Sequence, residues 1–272
     1  MRLMCELLDF SASGYYAWAK RAESRRGAAN RQLLVEVQHI YNNSGGTYGS
    51  PRVHAALGRN GQKVGRGRVE RLMRRAGLRG LAWLARRVRT TDSRHVYPIA
   101  PNRLARNFAV QAPNRVWLAD LTYISTGEGW LYLAAILDGC TRKIVGWCMR
   151  DTLHAEITLE TLAMAVERQR PPAGLIHHSD RGVQYAAEAY RQSLVAANLI
   201  PSMSRKGNCW DNAPMESFFH TLKTERVHHR VYATKDQARR DLFAYIEGFY
   251  NSHRLHSSLG YLSPAEMERQ AA

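Results

Sequence analysis

No apolar run in the 272-residue sequence is long enough to cross a bilayer, which excludes a membrane-spanning helix. Glu6 and Asp9 interrupt the apolar opening stretch, unlike the uncharged core of a secretory signal. Cysteine is sparse: Cys5, Cys140, Cys148 and Cys209 are scattered and form no CxxC pair. That argues against a Cys/His zinc module and for reduced thiols in a soluble, cytoplasmic protein. Acidic residues are scarce in one half only. Residues 1–114 hold 6 Asp and Glu against 21 Lys and Arg, whereas 115–272 hold 17 against 18. The net charge of +16 therefore lies almost wholly in the N-terminal part. Such a concentration suits a phosphate backbone, although a solvated basic surface is the plainer account of charge alone.

A hydrophobic content of 45% fits a globular chain, long enough for one sizeable core and a smaller unit. The periodicity predicts an N-terminal segment over 1–30, a helical, helix-turn-helix-like DNA-binding domain over 31–85 and a basic linker over 86–114. A catalytic domain over 115–265 and a tail over 266–272 follow. In the helical part, 31–41 reads as one helix, and Ser50-Pro51 as the N-cap and first-turn proline of a second. A third, over 67–76, carries Val69, Leu72, Met73 and Ala76 as a buried stripe, with Arg68, Arg71 and Arg75 along another side. Two short helices, the second presenting arginines, suit a major-groove reader; an ordinary hairpin with a solvated basic face fits the same pattern.

Beyond the linker the period changes. Strands are expected over 115–125, 130–138 and 143–149, then a helix over 155–169, a strand over 175–177, a helix over 186–197 and a strand over 200–204. Helices over 213–226 and 234–250 close the chain. That order belongs to an α/β, ribonuclease-H-like domain with a mixed five-stranded sheet and flanking helices.

Three carboxylates stand at telling places in this order. Asp120 shares a strand face with Val116, Leu118, Thr122 and Ile124, where an aspartate needs a cation or another partner; a strand-end Asp bonded to backbone or arginine reads equally well. Asp180 follows the apolar Leu175-Ile176 run, where a strand leaves the carboxyl end of a sheet; a turn or N-cap aspartate is the bland alternative. Glu216 lies in the first turns of a helix opened by Asp211-Asn212-Ala213-Pro214, with either Asp211 or Asn212 as its cap; most helix glutamates are merely solvated. Two hard cations about 4 Å apart would hold such acids together and serve phosphodiester chemistry.

At these residues the sequence resembles the integrase-like OrfB transposases of the bacterial IS-three insertion-sequence family, within the DDE retroviral-integrase superfamily. The resemblance rests on Trp117-Leu118-Ala119-Asp120-Leu121-Thr122-Tyr123, His178-Ser179-Asp180-Arg181-Gly182-Val183-Gln184-Tyr185 and Asp211-Asn212-Ala213-Pro214-Met215-Glu216-Ser217-Phe218. It extends to Tyr250-Asn251-Ser252-His253-Arg254-Leu255-His256-Ser257-Ser258-Leu259-Gly260, Tyr48-Gly49-Ser50-Pro51-Arg52 and Arg68-Val69-Glu70-Arg71-Leu72-Met73. Thirty-five residues separate Asp180 from Glu216, the spacing of that family, and Lys223 falls at its basic position.

The resemblance implies that Asp120, Asp180 and Glu216 are catalytic and bind two magnesium ions, with manganese as a substitute. It implies a DNA transposase, a polynucleotidyl transferase that cleaves element ends with water and joins the freed 3′-hydroxyl to target DNA, without a covalent protein–DNA intermediate. Its expected partners are terminal inverted repeats, target DNA, further copies of the chain on DNA, and an upstream OrfA protein, often fused. This chain has no heptad zipper of its own, so a non-catalytic or regulatory role dependent on OrfA is the alternative. A nuclease for RNA–DNA hybrids shares fold and metals but fits the basic N-terminal half less well. The expected location is the nucleoid. Lys223, Arg68, Arg71 and Arg75 are the expected DNA contacts. His178 either orients phosphate or is a neutral structural residue, and Asn212 is expected to cap its helix rather than touch DNA. Tyr250, Asn251, Arg254 and His256 either brace the active-site helix or meet DNA.

Overall fold

The computed structural model describes residues 1–81 and 97–271 and divides into two compact units, Met1–Gly80 and Leu81–Ala272. The expected boundary between helical domain and linker, at 85 and 86, lies outside the described residues.

The first unit is all helical: α1 (Arg2–Leu7), α2 (Ala12–Ala19), α3 (Arg25–Asn43), α4 (Ser50–Arg59) and α5 (Arg66–Arg75). Helix α3 starts six residues earlier than its apolar period suggests, because the Ser24 hydroxyl accepts the Gly27 amide at 3.1 Å and caps a polar first turn. At α4 the cap position is Gly49 rather than Ser50, with Pro51 in the first turn, where its missing amide costs nothing. Leu33, Val37 and Ile40 of α3 are buried, as are Val53 and Leu57 of α4 and Val69, Leu72 and Met73 of α5. The apolar stripe expected on α5 is thus its inner face.

The second unit is built on five strands: β1 (Val116–Thr126), β2 (Gly129–Asp138), β3 (Ile144–Arg150), β4 (Ile176–Ser179) and β5 (Ile200–Met203). Their order is β3-β2-β1-β4-β5, the first three antiparallel and β1, β4 and β5 parallel. This is the expected mixed five-stranded sheet. Helix α6 (Glu156–Gln169) makes the crossover from β3 to β4 that a parallel pairing requires. A single turn, α7 (Val183–Ala186), and α8 (Glu188–Ala196) lead to β5; α9 (Ala213–Glu225), α10 (Lys235–Phe243) and α11 (Pro264–Ala271) follow.

Strand alternation sorts the core into two layers. Val116, Leu118 and Ile124 of β1 pack with Met215, Phe218, Phe219 and Leu222 of α9 and with Leu242 of α10. Trp117 and Ala119 point the other way, to Leu162 and Ala165 of α6 and Tyr190 and Leu194 of α8.

Three further expected features differ from the structure. The single helix over 234–250 is α10 followed by a π-helical turn, Ala244–Tyr250. Tyr245 and Tyr250, five residues apart, are both buried, which an α-helical turn would set roughly 140° apart and a π turn aligns. The described part of the linker is docked: Leu104 is buried, and Phe108 and Val110 pack on the same core. The tail is helical to Ala271, and Glu268 accepts an ion pair from Lys143 at 2.6 Å.

Candidate active site

Register brings the first two carboxylates together. Parallel pairing of β1 with β4 ends at Leu118 opposite His178, and Asp180, the residue just past β4, comes within electrostatic reach of Asp120. Adjacent strands lie about 4.8 Å apart, so like charges there interact strongly. Both aspartates line a cavity of about 210 Å³, walled on its other sides by Leu121, Tyr132, Leu153 and Val183.

Each also holds a local backbone bond. Asp120 Oδ1 accepts the Leu121 amide at 2.7 Å, and Asp180 Oδ1 accepts the Gly182 amide at 2.8 Å. Burial raises the Asp120 carboxyl well above its ordinary range, the Asp180 charge raises it further, and Glu216 adds to this. The Leu121 amide and the Lys223 ammonium pull the other way. Burial of a carboxylate is not by itself the distinguishing mark. Asp138 is 2% exposed, yet it is satisfied by the amides of Asn114, Cys140 and Thr141 and by the Thr141 hydroxyl.

Glu216 stands in the first turn of α9, exposed, where the helix dipole favours its ionised form. It lies within electrostatic reach of Asp120 but outside the cavity wall. Among the described residues, no three His, Cys, Asp or Glu side chains already converge closely enough to grip an ion. Lys223, two turns along α9, sits over the Tyr123 ring at 4.9 Å; burial lowers its pKa and Asp120 opposes that shift. Lys223 and Glu216 therefore both lie within electrostatic reach of Asp120 from α9.

Several residues around the acids are held in structural contacts. His178 is fully buried between Ser202 (Nδ1–Oγ 2.9 Å) and Ser204 (Nε2–Oγ 3.1 Å) of the β5 end, and burial pushes its pKa down to about 4. It is the neutral structural histidine of the two readings. Asn212 does not cap α9 with its side chain. Its Nδ2 donates instead to the Ala119 carbonyl at 3.1 Å, beside Asp120. Asp211 does not cap either: it accepts from Arg205, Arg106 and Asn102.

The C-terminal motif braces α9. Arg254 and Glu225, 4% and 6% exposed, form a two-bond pair at 2.9 and 2.6 Å, and Tyr245 donates to the same carboxylate at 2.7 Å. Tyr250 meets Phe218 edge-on at 4.8 Å, and Asn251 bonds both the amide and the carbonyl of Ile144. On α5, Arg71 and Arg75 are exposed, while Arg68 is half-buried and donates to Asn30 of α3 at 2.8 Å.

Integrase core domain models match residues 110–209 and 198–264, and an HTH-like domain model matches residues 28–87. The 31 kDa protein of insertion element IS600 from Shigella sonnei is 48% identical over 263 residues, 96% of either chain. The InsF transposase of insertion sequence IS3A from Escherichia coli is 37% identical over 273 residues, covering 99% of this chain and 94% of the relative. The chain belongs to the IS3 family of insertion-sequence transposases. Among solved structures it is similar to the simian T-cell lymphotropic virus intasome (13% identity, TM-score 0.49, 79% of this chain and 69% of that one). The IS3-family membership spans both units. The helical unit is HTH-like, the sheet unit is an integrase catalytic core, and such a core is a polynucleotidyl transferase.

Proposed function

We propose that this IS3-family transposase cleaves the ends of its element and joins them to target DNA with divalent metal, using Asp120, Asp180 and Glu216. The observation that supports this reading most is the placement of Asp120: it lines one cavity with Asp180 and lies within electrostatic reach of Glu216. Burial and these two charges raise its carboxyl, which a bound cation would offset.

The donor set fits hard cations. It is all carboxylate oxygen, with no cysteine or histidine at the cavity, which suits magnesium or manganese rather than zinc. Asp120 and Asp180 would hold the ions from the sheet and Glu216 from α9. When bound, such ions supply charge for the attacking and leaving oxygens of a phosphodiester. The chain's own residues do the rest. The β1–β4 pairing brings the two aspartates to one cavity, and Glu216 stands in the first turn of α9, where the helix dipole suits a negative charge. Lys223 binds a backbone phosphate beside the acids and orients the DNA end, while Arg71 and Arg75, with a smaller share from Arg68, grip duplex DNA through α5.

The direct test is Asp180→Ala in a magnesium-dependent strand-transfer assay, run with and without the upstream OrfA protein. Joining should fall to background while DNA binding stays within about twofold. Strand transfer at the parent rate would sink the assignment. Joining only when OrfA is present would assign the chain to a composite enzyme.

A further inference from the structure

The segment before β1 reaches the candidate site from behind. The Arg103 amide donates to the Ser202 hydroxyl at 3.0 Å, the same hydroxyl that meets His178, two residues before Asp180. The Arg106 guanidinium donates from Nε to Asp211 at 2.8 Å and from a terminal nitrogen to Asn208 at 2.7 Å, and Asn102 reaches Asp211 at 3.0 Å. Asp211 has a side chain with no solvent exposure, and the Arg205 and Arg106 charges hold its carboxyl well below the usual range.

These partners divide by origin. Arg205 belongs to the same loop as Asp211, six residues away, so its bonds close that loop on itself. Among the described residues, the partners that come from outside the loop are Arg106 and Asn102, 105 and 109 residues away. They tie Asp211 to the segment before β1, while the Asn212–Ala119 bond ties the end of the loop to β1. The loop then delivers the candidate site. Asn212 follows directly, opens α9 and donates to the Ala119 carbonyl next to Asp120, while its Oδ1 is buried with no hydrogen-bond partner. Glu216 comes one turn later. The path from Arg106 to the acids is therefore one ion pair and one helix turn.

We propose that Arg106 is a positioning residue for strand transfer: through Asp211 it fixes the start of α9, and so the placement of Glu216 against Asp120. This rests on the carboxylate assignment proposed above. The charge-assisted bond at a buried acceptor, with a second guanidinium nitrogen bonded to Asn208, suits the task, because two donors of one rigid group fix direction as well as distance. The 43% exposure of the Arg106 side chain allows its removal without opening the core, since Arg205 still neutralises Asp211.

The test compares the full chain with Arg106→Ala and Arg106→Lys, each checked by thermal melting and supplied with OrfA where joining requires it. Three quantities are read: amide hydrogen exchange over residues 208–216, kcat for joining a precleaved oligonucleotide, and Kd for DNA across a salt series. Displacing a reacting group by about 1 Å costs on the order of a hundredfold in rate. For Arg106→Ala we expect exchange in that segment to rise at least about tenfold and kcat to fall about 10- to 100-fold. The DNA Kd and its salt slope should change little, and Arg106→Lys should regain part of kcat. Unchanged exchange with unchanged kcat would overturn the proposal. So would weaker DNA binding with a shallower salt slope and unchanged kcat, which would make Arg106 a phosphate contact. If the parent chain does not join strands at all, the carboxylate assignment fails, while exchange still reports whether Arg106 holds α9.

Discussion

Removing Arg254 is expected to destabilise the catalytic domain more than any comparable surface substitution. Its guanidinium makes two bonds to Glu225 at the C-terminal end of α9, and both side chains are at most 6% exposed. Arg254→Met would take the guanidinium away from a buried carboxylate, with the Tyr245 hydroxyl still bonded. Breaking a buried pair from one side costs about 3–5 kcal/mol, because the remaining charge keeps its desolvation penalty. For a unit of this size each kcal/mol corresponds to about 2–4 °C, so Tm should fall by roughly 6–20 °C. The internal control is the Arg150–Glu160 pair, 42% and 48% exposed, whose loss should cost under about 1 kcal/mol. Calorimetry and urea denaturation of the full chain provide the measurement, and the double variant Arg254→Met with Glu225→Leu should recover most of the loss. A loss below about 1 kcal/mol for Arg254→Met would refute the reasoning, since it would mean that water reaches Glu225.

Burial and the neighbouring acids raise Asp120 above its unfolded value, so its ionisation weakens the fold as pH rises through the ordinary carboxylate range and beyond. Asp120→Asn should therefore raise Tm at neutral pH without divalent metal and abolish the further rise that magnesium gives the parent; a lower metal-free Tm contradicts this. His178 is depressed from 6.5 to about 4, so its stabilising contribution is full above the imidazole range and lost as pH falls between those values. His178→Gln should flatten the stability profile there, and an unchanged slope would show that another group titrates. Arg71→Ala and Arg75→Ala should each reduce the salt slope of DNA binding by about one, and Arg68→Ala, tied to Asn30, by less. Fluorescence anisotropy across a salt series reads all three, and equal slopes would remove α5 from the DNA interface.

Local patterns made much of this legible. The alternation of β1, the helical stripe of α5 and the proline of α9 each follow from nearest-neighbour chemistry, so the elements and their order were readable with small shifts at the ends. The missed features were long-range. Asp211 and Asn212 read as helix caps because Asp and Asn before a proline-bearing helix usually are caps. Apart from Arg205, six residues from Asp211, their partners Arg106, Asn102 and the Ala119 carbonyl lie 93 to 109 residues away. The docked linker escaped for the same reason: a basic, proline-containing stretch without a period shows no sign that Leu104 is buried.

The sequence by itself determined which acids could act and on which elements they sit, because strand alternation, helix capping and motif spacing are all local. The family followed from the same residues. Tertiary structure alone decided how the acids relate. The β1–β4 pairing brings Asp180 to the cavity that Asp120 lines, α9 packs its apolar stripe and brings Glu216 and Lys223 within electrostatic reach of Asp120, and the Asp211 and Glu225 ion pairs hold that helix near its two ends. Pairing across a hundred residues depends on where the chain returns, and the return path is set by the packed core.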